Sequence, residues 1–234
     1  MPHCAKFLAL LAICARIAAA SAVYDTSASF TGTRSAGGSG GLIDGGGHGY
    51  DGLMLSWSIV SLPDWTYNYT YTITLQPHEA PAVSRAIVDL SNDCSIPARP
   101  SYAQLPCDSN PLVNGAPGFT ILGNWCAGTQ CAANPVPGLA NAIAGLQFVE
   151  LPHNVRTLTI SFNAPGAPVW GDFYIAGGLQ YVYNLGNANH LDTNVFDFIA
   201  VPGAPPAVAP EPKTVGLAGA ALLLLGLIGK HRRK

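Results

Sequence analysis

Between residues 23 and 212 the chain contains no lysine and only four arginines: Arg34, Arg85, Arg99 and Arg156. The same stretch holds all 13 acidic residues, so its charge is near −9 although the whole chain is formally −2. Nucleic-acid binding uses Lys and Arg to displace counterions from phosphates, so a body this poor in cations excludes that partner. Charge of either sign is scarce. Only 10% of residues are charged, against about a quarter in an ordinary soluble domain. No stretch of the body carries a long apolar stripe of 3.6-residue period, which excludes a helical bundle. No apolar run reaches the length of a relaxed membrane span, about 20 residues; the run at 215–229 has 15. There is no His-Glu-x-x-His, no Cys-x-x-Cys, and no pair of histidines within one helical turn, so His48, His78, His153 and His190 read as loop or surface residues.

Glycine and proline are plentiful, with 26 and 19. They punctuate the body into short segments. Within these the dominant period is two. The stretch "YNYTYTITL" sets Tyr67, Tyr69, Tyr71, Ile73 and Leu75 on one face and Asn68, Thr70, Thr72 and Thr74 on the other. That alternation predicts a half-buried strand. Tyr67, Tyr69 and Tyr71 are expected to fill a core rather than to stand exposed and stack on sugar rings, because Ile73 and Leu75 continue their face. "RTLTISFN" repeats the pattern with Leu158, Ile160 and Phe162. Further strands are predicted at 27–33, 53–60, 86–90, 145–150, 169–176, 180–185 and 195–201, and one short helical turn in "GLANAIAGL" at 138–146. The expected fold is all-β, an antiparallel β-sandwich of jelly-roll type. Some 180 residues suffice to bury a sizeable core.

Six cysteines are present. Cys4 and Cys14 fall in an N-terminal leader, leaving Cys94, Cys107, Cys126 and Cys131. An even number in an exported chain predicts disulfides. Of three possible pairings, Cys94–Cys107 with Cys126–Cys131 closes the shortest loops. The bonds would tie down a turn-rich insertion at 92–141 that has little core of its own. A loose Cys-x4-Cys spacing argues against zinc.

Other chemistry is thinly supported. Gly37-Gly38-Ser39-Gly40-Gly41 matches G-x-S-x-G, but it lies in a glycine-rich run, read as a flexible surface loop, with no helix after it to build an oxyanion hole. Asp44 and Asp51 offer too few oxygens for calcium, which takes six to eight. Asp172 follows Trp170-Gly171 in a strand, where it would hydrogen-bond a turn or act as a general acid beside Glu150; paired carboxylates hydrolyse glycosides only at defined separations. No catalytic residue, metal or cofactor is expected.

Both ends read as processing segments. Residues 1–22 have a small basic region at Lys6, an apolar stretch at 7–17 and small residues Ala20-Ser21-Ala22 before Val23, the pattern of a secretory signal peptide. The body then spans 23–201. Residues 202–212, "PGAPPAVAPEP", form an extended Pro/Ala linker. Residues 213–234 hold the apolar run, roughly 22 Å long as a helix, followed by "KHRRK", which the positive-inside tendency keeps cytoplasmic. A span this short crosses a core about 30 Å thick only with thinning or snorkelling.

Pro210-Glu211-Pro212, the apolar run and the terminal basic cluster resemble, in that order, the PEP-CTERM sorting signal, also labelled an ice-binding protein C-terminal domain. That label carries no implication of ice binding. The resemblance covers roughly 208–234. It implies an exopolysaccharide-producing Gram-negative host, a transient inner-membrane anchor, and recognition by an exosortase that cuts near Pro210-Glu211-Pro212, after signal peptidase has acted at the other end. The body, through "PVWGDFYIAGG", "YNLG" and "FIAVPG", is weakly similar to the N-terminal region of other PEP-CTERM proteins. The expectation is an exported, non-catalytic protein of the cell surface or exopolysaccharide matrix. A secreted carbohydrate-binding module is the alternative, with a secreted hydrolase behind it.

Overall fold

The structure is a computed structural model, and it describes residues 26–37, 39–46, 49–64, 66–77, 83–90, 109–125, 136–152, 155–188 and 194–203. Of these, 59% lie in strands. The expected all-β class holds. The strands, however, build one large, nearly barrel-shaped mixed sheet rather than a purely antiparallel one.

The strands are β1 (Thr31–Ala36), β2 (Gly41–Gly45), β3 (Met54–Ser61), β4 (Tyr67–Thr74), β5 (Arg85–Asp89), β6 (Ser109–Val113), β7 (Ala116–Pro117), β8 (Phe119–Trp125), β9 (Ile143–Val149), β10 (Thr157–Ala164), β11 (Pro168–Gly171), β12 (Phe173–Gly177), β13 (Gln180–Asn184) and β14 (Ile199–Pro202). A short helix α1 (Leu185–Ala188) and a 3₁₀ turn (Val195–Asp197) complete the described elements. Twelve strands pair in the order β7-β6-β10-β4-β3-β1-β2-β13-β12-β5-β9-β8, while β11 and β14 form a separate ribbon.

Two features curl the sheet. The outermost strands, β7 and β8, are neighbours in the chain with only Gly118 between them, so the backbone itself brings the two edges together. At the middle, the chain sidesteps. β1 and β2 pair in parallel over Ser35↔Gly41 and Ala36↔Leu42, joined by a loop far shorter than the dozen residues a parallel crossover usually needs. Gly41 makes this possible with φ +81, and a side chain there would also meet the Phe196 carbonyl at 2.1 Å. The glycine-rich run is thus a seam within the sheet rather than a surface loop. It joins one half (β6, β10, β4, β3, β1) to the other (β2, β13, β12, β5, β9, β8).

The inner faces of both halves share one core. Tyr69, Tyr71 and Phe162 of the first half are fully buried, as are Phe148 and Phe173 of the second. Rings meet across the interior: Tyr71 with Phe173 and Phe148 with Phe162, each pair at 5.9 Å between centroids. The ribbon closes this core beside β1 and β5. The Tyr71 hydroxyl donates to Ala200 O at 2.8 Å, and the Tyr69 hydroxyl to Gly166 O at 2.6 Å.

The two halves differ on their outer faces. Strands β3, β4 and β10 alternate buried and exposed residues, while β5 and β12 are buried on both faces. Their outer face carries a second apolar cluster of Ile87, Ile121, Trp125, Val136, Leu139, Ile143, Tyr174 and Ala176. Part of the 92–141 segment, expected to lack core, therefore supplies β6, β7, β8 and half of this cluster. The predicted helical turn at 138–146 is instead a turn leading into β9. The predicted strand 195–201 begins as the 3₁₀ turn.

The expected signal peptide at 1–22, the four cysteines Cys94, Cys107, Cys126 and Cys131, the four histidines His48, His78, His153 and His190, the Pro210-Glu211-Pro212 motif and the 213–234 segment lie outside the described residues. Among the described residues no helix is long and apolar enough to cross a membrane.

Candidate functional site

Three polar arrangements stand out against this apolar frame. The first surrounds Asp172, which breaks the strand between β11 and β12 and is fully buried. Asn184 Nδ2 donates to its Oδ1 at 2.9 Å, and Asn187 Nδ2 to its Oδ2 at 3.1 Å. Asn184 also donates to Asp197 O at 2.9 Å and accepts from the Phe173 N–H at 2.6 Å. Asn187 Oδ1 accepts from the Asn141 N–H at 3.1 Å, and the Asn141 side-chain amide donates to Asn187 O. On the other side, the Asp172 N–H donates to Asp89 Oδ2 at 3.4 Å. A buried carboxylate is tolerable when its oxygens are filled with donors in this way. The network pins α1, β12, β13 and the approach to β9 together. Glu150 is exposed, just past β9, with φ 55, and is not among the groups that hydrogen-bond Asp172.

The second arrangement is Arg34, 8% exposed. Its Nε, Nη1 and Nη2 donate to Phe198 O, Thr33 O and Val195 O at 2.9, 2.9 and 2.7 Å. Its guanidinium carbon lies 5.0 Å from the Trp57 ring, 5.6 Å from Trp170 and 5.3 Å from Phe196. Burial draws its pKa down, and Asp197 opposes that shift. The fork is spent on the protein's own carbonyls, so this arginine clamps the 3₁₀ turn and β14 onto β1.

The third arrangement faces solvent. The outer positions of β1, β3, β4 and β10 line up in rows across the ladder: Thr31, Ser58, Thr70 and Ser161; Thr33, Ser56, Thr72 and Thr159; Ser35, Met54, Thr74 and Thr157; Val60, Asn68 and Asn163. Thirteen of these fifteen are Ser, Thr or Asn, and none is charged. Asn68 Nδ2 donates to Asn163 Oδ1 at 2.8 Å, and the Thr70 hydroxyl to Asn68 Oδ1 at 3.0 Å. Among the described residues, charges flank the ends: Asp64 in the β3–β4 turn, held low in pKa by the Thr66 hydroxyl and N–H, and Arg156 before β10, bonded to Gln76 O and Pro77 O.

No family model, curated protein or solved structure matches this chain.

Two further sequence candidates, Ser39 and Asp44, lie in the β1–β2 turn and in β2. Ser39 is exposed in the β1–β2 turn and is followed by a strand, so the helix a nucleophile elbow needs is missing at that place. Asp44 Oδ2 accepts the Tyr50 N–H at 3.3 Å, a turn contact. Among the described residues no three His, Cys, Asp or Glu side chains gather as metal ligands.

The interior tyrosines give a pH signature. Burial pushes the Tyr71 hydroxyl well up, with smaller contributions from Tyr69 and Asp89. It also raises Tyr174, whose hydroxyl donates to Pro137 O at 2.8 Å, and Tyr183. A raised folded-state pKa contributes stability that is complete below the unfolded value near 10 and is lost as pH rises toward the folded value. In an alkaline titration followed by tyrosinate absorbance, the Tyr71 and Tyr174 hydroxyls are expected to ionise only with cooperative unfolding. Smooth ionisation of all tyrosines in a still-folded protein would contradict their burial.

Proposed function

We propose that this chain is an exported, non-catalytic protein of the cell surface or exopolysaccharide matrix, sorted by an exosortase through its C-terminal signal. The observation that carries the reading is where the fold finishes. Phe198, Ile199, Ala200 and Val201 are fully buried, and β14 closes the core with Pro202. The Pro/Ala linker starts there, so cleavage near Pro210-Glu211-Pro212 falls beyond the last described strand of the body. The body itself, two half-sheets packed across one core, is a variant of a jelly-roll-like sandwich. The polar side chains inside it hold strands together, which supports a binding or structural role over catalysis.

Mass spectrometry of the mature protein from the export host tests this. Peptides C-terminal to the Pro210-Glu211-Pro212 motif are expected to be absent, and the N-terminus to begin near Val23. Recovery of an intact Lys234 terminus from surface material would overturn the sorting reading.

The carbohydrate-binding alternative gains from one observation, the uncharged outer face of β1, β3, β4 and β10.

A further inference from the structure

We propose that this outer face is a docking surface for a neutral polysaccharide. The inference deepens the reading of the chain as a matrix protein and rests on it. A solvated sheet face ordinarily carries charge: well-behaved soluble surfaces are roughly 25–35% Lys, Arg, Glu and Asp. Here four adjacent strands present thirteen hydroxyl or amide side chains among fifteen outward positions and no charge. The composition is specific to this face. The opposite half of the sheet buries its outer side under a second apolar cluster, and the acidic groups Asp89, Asp172 and Asp197 are in the interior.

Charge decides the class of partner. An anionic polymer would meet a body near −9 and no cation among the fifteen positions, Arg156 standing only at the rim with its guanidinium bonded to Gln76 O and Pro77 O, and would be repelled. A neutral, hydroxyl-rich polymer meets groups of its own kind. Hydroxyl and amide pairs exchange water for one another with small desolvation cost compared with ions. The array is also ordered. Strand neighbours stand about 4.8 Å apart and like-facing residues along a strand roughly 6.7 Å apart. β-Branched threonines have few side-chain rotamers to lose, and the Asn68–Asn163 and Thr70–Asn68 bonds fix three more groups. No aromatic ring lies among the fifteen positions, since Tyr69 and Tyr71 point into the core. Each contact is therefore weak, and retention comes from many such contacts along one polymer chain.

Affinity electrophoresis of the full chain, held in a polyoxyethylene detergent, tests the assignment in gels cast with dextran, galactomannan or xyloglucan. Migration is expected to be retarded by at least one neutral polymer, and not by alginate in EDTA. Two variants should weaken retardation at least about tenfold: T72D/S161D, which plants charge in the middle rows, and T70V/T72V, which removes hydroxyls but keeps β-branched strand formers should the charged variant unfold. A142D, a charge added at an exposed site off the face, should be retarded by the same factor as the parent, each compared with its own mobility in a polymer-free gel. The proposal is overturned if none of the neutral polymers retards the protein, if both folded face variants bind as well as the parent, if alginate in EDTA binds as tightly, or if the variants instead abolish self-association seen by sedimentation. Such a failure leaves the sorting reading standing, because that is read from the termini of the mature protein.

Discussion

Phe162→Ala is expected to cost about 4 kcal/mol, the upper part of the range for a buried aromatic truncation. Phe162 is fully buried on β10. Its ring lies 5.7 Å from Tyr69, 6.3 Å from Tyr71 and 5.9 Å from Phe148. The first two belong to its own half of the sheet and the third to the other half. The cavity would open between the halves, where β-sheet backbones cannot easily collapse inward. Domains hold together by about 5–15 kcal/mol, so the loss is a large share. Phe162→Leu, which keeps most of the volume, should cost about 1–1.5 kcal/mol. Urea unfolding followed by tryptophan fluorescence measures both. A loss below about 1 kcal/mol for the alanine variant would mean that the halves do not share one core.

Arg34→Ala is expected to follow at about 3 kcal/mol, mostly from acceptors left without their donor. Three carbonyls lose a charge-assisted bond at once. Val195 and Phe196 are 37% and 61% exposed, so water can reach part of the gap and moderates the loss. The flat contacts with Trp57, Trp170 and Phe196 add to it, at roughly 0.5–2 kcal/mol for a partly desolvated cation over a ring. Arg34→Lys should recover less than half of the stability. An ammonium keeps the charge but cannot present a planar fork to three carbonyls. The same unfolding assay applies. Wild-type stability in the lysine variant would show that charge alone, rather than the fork, holds β14 to β1.

Strands whose stability is written in their own side chains were legible in the sequence. β4 and β10 alternate so regularly that their buried faces, Tyr69-Tyr71-Ile73 and Leu158-Ile160-Phe162, could be named in advance. β2 was hidden. "GLIDG" has glycine at both ends and too few side chains to show a period, and it is a strand only because β1 and β13 lie on either side of it. The same holds for β6 to β8, whose prolines and glycines read as turns until neighbouring strands are present. Asp172 was legible as a polar group set within a strand-forming stretch. Its partners were not, yet a signal existed: Asn184 keeps step with buried Val182, so an amide occupies an inward position and must find donors and acceptors there. Arg34 gave no such signal beyond its alternation with Thr33 and Ser35, because its acceptors are carbonyls from a distant segment. The uncharged face was half visible, in Asn68 and the threonines of β4. Its extent across four strands depends on register, which a single sequence does not contain.

The clamp between Arg34 and the Phe198 carbonyl joins residues 164 positions apart, and the Tyr71 hydroxyl reaches 129 positions to Ala200. A fold closed by contacts of such separation forms slowly, on the order of milliseconds to seconds for β-rich topologies. Until β14 is available the core stays open, so the chain under synthesis is unclosed and its strands are free to pair with others. Pro111 and Pro117 sit in β6 and β7, at one edge of the sheet. A strand bearing proline offers fewer N–H groups to a neighbouring molecule. The edge on which they lie therefore offers a poorer template for pairing than the β8 edge to which Gly118 connects it.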